Sequence, residues 1–291
     1  MSEDVLVTAD WIEERLDDFQ SDDDSHRLVE INNPTVTDES EYTSYEEGHI
    51  PGAVYLDWEE DMSDETERDI ASKEQFEEVN SRVGVSEDST VVVYGGGRVP
   101  NWFALFGYWI YKYYGHDDIR VLDGGKGYWV DNDYPLSQDV PDYPTTEYEA
   151  RGPFESIRAY KDDIENAIED SLPMIDVRSP EEFSGEVIAP EGLMETAQRG
   201  GHIPGASNVP IAETLNDDGT FKSADELREL YEEKAGATGE ESTIAYCRVG
   251  ERSSIEWFLM HELLGFEDVR NYDGSWTEWG NLVGVPIETG E

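Results

Sequence analysis

A hexapeptide that occurs twice constrains this chain more than any other feature. Gly48-His49-Ile50-Pro51-Gly52-Ala53 returns letter for letter as Gly201-His202-Ile203-Pro204-Gly205-Ala206. Other landmarks repeat around it in the same order. Leu28-Val29-Glu30-Ile31 parallels Met174-Ile175-Asp176-Val177, and Val91-Val92-Val93-Tyr94 parallels Thr243-Ile244-Ala245-Tyr246. Leu122-Asp123-Gly124-Gly125 then parallels Tyr272-Asp273-Gly274-Ser275. Four landmarks in one order identify a duplicated unit. Between the copies, Pro141, Pro144 and Pro153 stand among few aliphatic residues, the composition of a linker. The expected organisation is a domain over 1–140, a linker over 141–153 and a second domain over 154–291, and 291 residues suit two domains of ~150 each.

Each copy alternates two kinds of segment. The short apolar runs 28–31, 91–94, 174–177 and 243–246 read as buried parallel strands. Segments 102–114, 222–234 and 253–264 have helical length. Strands alternating with helices imply an α/β fold, each half a mainly parallel sheet flanked by helices. Ligands of such folds gather at the carboxyl ends of strands, which directs attention to the residues after Tyr94 and Tyr246.

Charge sets the expected environment. Sixty-nine Asp and Glu against 20 Lys and Arg leave a formal charge of −49, spread along the whole chain. At ~0.1 M salt the Debye length is ~10 Å and the surface repels itself; at ~1 M it shrinks to ~3 Å and the repulsion is largely screened. The composition resembles that of proteins from salt-accumulating halophiles, with a halophilic archaeon as the expected source. Such a surface excludes nucleic acid and anionic membranes as partners, because phosphate binding needs clustered Lys and Arg. The first residues lack the basic and apolar regions of a signal peptide, and no run approaches ~18 apolar residues, so a cytoplasmic protein is expected. With one cysteine, neither an internal disulfide nor a cysteine-cluster metal site is expected.

That cysteine, Cys247, follows the run 243–246 and opens Cys247-Arg248-Val249-Gly250-Glu251-Arg252-Ser253-Ser254, ahead of a helix. A thiol placed there lies near unpaired N–H groups. Gly250 permits the positive φ that curls a short loop so that its amides point inward. Arg248 and Arg252 add positive charge, which favours the thiolate, the nucleophilic form. A helix end supplies only ~0.3–1 kcal/mol, so direct N–H···S hydrogen bonds and a nearby Arg are required. Glu251 opposes this unless it points outward or pairs with an Arg. The alternative is an inert buried cysteine. In the first copy, Tyr94 is followed by Gly95-Gly96-Gly97-Arg98 and no thiol, as suits an active domain beside an inactive one.

The order Asp176-Val177-Arg178, Gly201 to Ala206, Cys247 to Ser254, and Tyr272-Asp273-Gly274-Ser275-Trp276 resembles the tandem-domain rhodaneses, or thiosulfate sulfurtransferases, over nearly the whole chain. The resemblance implies two rhodanese-like domains and ping-pong sulfur transfer. Cys247 would take the outer sulfur of thiosulfate as a persulfide and pass it to a thiophilic acceptor such as cyanide or a thiol, including a thiol on a protein, with no metal or organic cofactor. Its candidate substrate contacts are Arg248, Val249, Gly250, Glu251, Arg252, Ser253, Arg178 and Arg199. Val249 stands where the animal enzymes carry a lysine, and Glu182 where they carry an arginine. A structural ion pair is the competing reading for Arg178, and simple exposure for Arg199. His49 and His202 read as structural, because the half without a thiol also keeps its histidine.

Two other activities fit parts of the pattern. A 3-mercaptopyruvate sulfurtransferase shares the fold and thiol, but Arg248 and Glu251 depart from its usual loop. A persulfide carrier that delivers sulfur to a partner protein, with little turnover on small acceptors, is a further reading compatible with the sequence. A cysteine phosphatase needs Cys-x5-Arg, whereas here Arg252 makes Cys-x4-Arg.

Overall fold

The computed structural model describes residues 5–33, 44–97, 99–189 and 197–290; Arg98 lies outside them. The chain forms two compact units, one of residues 2–154 with 216–221 and the other of residues 155–215 with 222–291.

The first unit is built on strands β1 (Leu6–Val7), β2 (His26–Asn32), β3 (Ala53–Asp57), β4 (Thr90–Tyr94) and β5 (Ile119–Leu122), in the order β1-β5-β4-β2-β3. Every pairing among them is parallel. The middle strands are buried almost throughout, as strands of a parallel sheet flanked by helices are. Leu28, Val29, Val91, Val92 and Val93 are all fully buried. The second unit repeats the plan with β6 (Met174–Asp176), β7 (Ser207–Asn208), β8 (Thr243–Tyr246) and β9 (Val269–Tyr272), in the order β7-β6-β8-β9 and again wholly parallel. The expected fold class is thus the observed one.

The hexapeptide performs the same task in both units. The Tyr94 hydroxyl accepts the Ile50 N–H at 3.2 Å, and the Tyr246 hydroxyl accepts the Ile203 N–H at 3.1 Å. The backbone of His49 pairs with Ser137, and that of His202 with Glu288. Their rings bond main-chain carbonyls, His49 those of Tyr45 and Asp139, and His202 that of Phe183. Both histidines therefore join backbone segments, as their presence in the thiol-free half implied.

The proline-bearing stretch 141–153 lies along the first unit. Tyr143 donates to the carbonyls of Phe19 and Gly52 at 2.6 and 2.9 Å, and Thr146 N–H donates to Ser81 O at 3.0 Å. A turn from the second repeat, 216–221, also belongs to the first unit. Asp123 accepts the Phe221 N–H there at 3.0 Å, and burial raises its carboxyl to about 6.

The expected helices are present as Trp102–Tyr113, Ala224–Ala235 and Ser253–Trp257. The last does not run on as an α-helix. Residues Phe258–Leu263 widen into a π-helix, with Leu264 N–H reaching back to Leu259 O at 3.0 Å. Among the described residues no helix is long and apolar enough to cross a membrane.

Candidate active site

Strand β8 ends at Tyr246, so Cys247 sits at the carboxyl edge of the second sheet, between β6 and β9. It is fully buried. The segment after β9 grips the cysteine loop from behind. Cys247 N–H donates to Ser275 Oγ at 3.0 Å, Cys247 O accepts from Trp276 N–H at 3.1 Å, and Arg248 O accepts from Thr277 N–H at 2.9 Å. Asn271 Nδ2 donates to Gly250 O at 3.0 Å, and the Ser253 hydroxyl lies 2.6 Å from Asn271 Oδ1. With these carbonyls held, the loop can turn an amide toward the sulfur, and Gly250 N–H donates to Cys247 Sγ at 3.1 Å. This is the N–H···S contact that the sequence argument required.

Only glycine fits position 250. Its φ is +92°, and a Cβ there would collide with Asp273 Cα. Asp273 is fixed in turn by a two-point ion pair with Arg158, at 2.9 and 3.1 Å. Ser275 holds a φ of +51°, where the first unit has Gly125 at +59°.

Arg252 meets Glu182 through two contacts of 3.2 Å, and Glu182 is 1% exposed. Burial opposes the charge on Arg252, but the Cys247 sulfur, Glu182 and Glu251 hold its guanidinium more firmly protonated than usual. Burial likewise pushes the Glu182 carboxyl up; Arg252 and the Ser179 N–H outweigh it and hold the group below its ordinary value. Glu182 is placed by the short helix Pro180–Ser184, where it completes a capping box with Ser179. Glu251 is buried instead of pointing outward, and Arg248, Val249 and Ser253 are buried beside it.

Arg178 and Arg199 each have partners within the fold. Arg178 is fully buried in a two-point ion pair with Asp176, with a closest approach of 2.6 Å, and also donates to Gly201 O at 2.7 Å. Its guanidinium lies 4.7 Å from the Trp276 ring centre. The thiol-free unit keeps a buried pair at the matching strand position, Glu30 with Lys126 at 2.7 Å. An ion pair present in both units serves the fold, because a buried carboxylate on the central strand needs a cation whether or not a thiol stands nearby. Arg199 is also engaged with the backbone. It donates to the carbonyls of Trp279, Gly280, Leu282 and Val285 at 3.0–3.2 Å, capping the end of helix Ser275–Trp279.

Four contributors escaped the sequence reading in these roles: Ser275, Asn271, Arg158 and Glu182 as the partner of Arg252. Ser275 lies inside a landmark, Asp273-Gly274-Ser275, whose aspartate reads as a fold residue. The first unit shows what the site is without a thiol. Lys126 N–H donates to Gly95 O at 2.9 Å, matching the Trp276 to Cys247 bond. Gly95 and Gly96 N–H donate to the side-chain oxygens of Asn101 and Asn32, each at 3.0 Å. A Cβ on Gly95 would stand 2.8 Å from Ile31 O. Amide oxygens thus occupy the donors at the positions that match Cys247 and Arg248.

Comparison with known proteins agrees with this duplicated plan. The family model described as Rhodanese-like domain matches residues 8–132 and 160–282. A protein of Haloferax volcanii, a halophilic archaeon, provisionally named thiosulfate sulfurtransferase, is 60% identical over 289 residues, covering 99% of this chain and 98% of its own. The sulfur carrier protein TtuD of Thermus thermophilus is 47% identical over 292 residues, covering 99% and 97%. Among solved structures, EanB with a cysteine persulfide and ergothioneine superposes with a TM-score of 0.85 at 26% identity, over all of this chain and 71% of that one.

Proposed function

The chain belongs to the rhodanese family as a tandem sulfurtransferase, and from that premise we propose that it moves a sulfane sulfur from thiosulfate to a thiol or cyanide through a persulfide on Cys247. The observation that carries the reading is the Gly250 N–H on Cys247 Sγ at 3.1 Å, in a loop whose carbonyls are held from behind. A donor so placed stabilises a thiolate and then an anionic persulfide. In the first half-reaction the thiolate attacks the outer sulfur of thiosulfate. The S–S bond to the sulfonate breaks, and sulfite leaves with the electron pair. In the second half-reaction an acceptor nucleophile takes the outer sulfur and the Cys247 thiolate returns. Arg252 supplies positive charge to the thiolate; Arg248 and Ser253 complete the walls of the loop. A reduced cytoplasm suits a site that works as a free thiol.

A second reading is a persulfide carrier that hands its sulfur to a protein. It is supported by the complete burial of Cys247 and by the likeness to a sulfur carrier protein. Intact mass after incubation with thiosulfate in ~2 M KCl, a salt at which the Debye length falls to a few Å or less, tests the shared step. A gain of one sulfur, absent in Cys247→Ala and discharged by cyanide, is expected. Folded protein that gains no sulfur overturns the thiosulfate reading, and mercaptopyruvate is then the donor to try. Slow discharge to small acceptors after efficient loading selects the carrier.

A further inference from the structure

The charges around Cys247 carry a consequence for the choice of donor. Two arginines of the loop, Arg248 and Arg252, stand with two buried carboxylates, Glu251 and Glu182. The Cys247 sulfur therefore shares the positive charge of Arg252 with both carboxylates. Glu182 is not a loop residue. It is delivered by a separate helix, Pro180–Ser184, and locked on both sides, by Arg252 at 3.2 Å twice and by Ser179 N–H at 3.2 Å. An incoming anion that uses Arg252 must share it with a carboxylate that is almost wholly buried. The cost grows with the donor's charge. Because the pair is buried, molar salt screens it far less than it screens the surface.

We propose that Glu182 is a specificity-determining residue which, acting through Arg252, lowers the efficiency of the thiosulfate dianion at the Cys247 loop relative to that of singly charged organic sulfane donors. The proposal rests on the persulfide reading above and names the donor class that suits this site. Thiosulfonates and organic persulfides are such donors. Attack of the thiolate on the outer sulfur of a thiosulfonate breaks the S–S bond and releases a sulfinate with the electron pair, leaving the same persulfide.

The test compares thiosulfate with methanethiosulfonate, which transfers the same outer sulfur but carries one charge fewer. Loading rates are measured by intact mass on the full chain in ~2 M KCl. Glu182→Gln keeps the size of the side chain and can still accept the Ser179 N–H, while removing one negative charge. At an effective dielectric of about 20, a unit charge one side chain away is worth about tenfold or more. The ratio of kcat/KM for thiosulfate to that for methanethiosulfonate is expected to rise about tenfold in Glu182→Gln, with most of the change in KM for thiosulfate. Ser179→Ala, which loosens the same helix without altering charge, is expected to leave the ratio where it is. An unchanged ratio in Glu182→Gln, or an equal shift in Ser179→Ala, overturns the proposal while leaving the persulfide reading intact. Wild-type protein that takes sulfur from neither donor overturns both.

Discussion

Ser275 holds Cys247 by its backbone: the serine Oγ accepts the Cys247 N–H at 3.0 Å and gives its own proton to Tyr272 O at 2.6 Å. The contact spans two strand ends and sets where the reacting sulfur lies, since the Gly250 amide that touches that sulfur is only three residues on. A buried N–H left without this acceptor costs about 1–3 kcal/mol.

Ser275 therefore predicts an ordered series. Ser275→Ala loses the acceptor and keeps a side chain in the left-handed region. Ser275→Gly loses the same acceptor but suits a φ of +51°. Stability is expected to fall in the order wild type, Ser275→Gly, Ser275→Ala, with the two variants about 1 kcal/mol apart. Both are expected to load sulfur more slowly than wild type. Denaturant midpoints and persulfide loading by intact mass check this; an alanine variant as stable as the glycine variant would contradict it.

Arg178 and Arg199 are expected to affect stability and leave donor binding alone. Arg178→Met leaves Asp176 buried without its cation, a loss of about 3–5 kcal/mol. Arg199→Ala releases four carbonyls near the chain's end, and because these are partly exposed the loss is expected to be smaller, about 1–2 kcal/mol. In the folded fraction of each, KM for the sulfur donor is expected to match wild type. A rise of tenfold or more in KM with unchanged stability would return either arginine to the donor site.

Glu256 gives a pH dependence of known sign. It is fully buried on the helix after the cysteine loop, accepts from the Tyr231 hydroxyl, and burial raises its carboxyl to about 8. In the unfolded chain a Glu ionises near pH 4.3. Between these values the folded state holds the extra proton, so this group's contribution to stability is full below pH ~4 and is lost as pH rises toward 8. Thermal melts at fixed ~2 M KCl are expected to show wild type losing a few kcal/mol across that window relative to Glu256→Gln, which does not titrate. Parallel curves for the two proteins would remove Glu256 as the source.

Salt should act on the whole molecule. With a formal charge of −49, lowering KCl from ~2 M to ~0.1 M restores self-repulsion over a Debye length of ~10 Å. The melting temperature is expected to fall by about 10 °C or more, since each kcal/mol shifts a domain of this size by ~2–4 °C. A melting temperature independent of KCl would detach the acidic surface from any role in salt adaptation.

The duplication, the parallel α/β plan, the thiol-bearing loop and the structural histidines were legible in the residues alone. Each is a local signal: a repeated hexapeptide, apolar runs of strand length, and a glycine three residues after a cysteine. The environment implied by the charge balance belongs with them, because composition needs no fold to be read. The roles of the arginines were not legible. Arg178, Arg199, Arg248 and Arg252 are one residue type near one site, and their sequence positions do not state which carbonyl or carboxylate each will meet. Tertiary structure assigned Arg178 to Asp176, Arg199 to the end of helix Ser275–Trp279, and Arg252 to Glu182 across 70 residues of chain. It also brought Ser275 and Asn271 behind the cysteine loop, because β9 lies directly beside β8. A buried charge goes to whichever partner packing places within ~3 Å, and that partner is set by the register of distant strands, which no local pattern encodes.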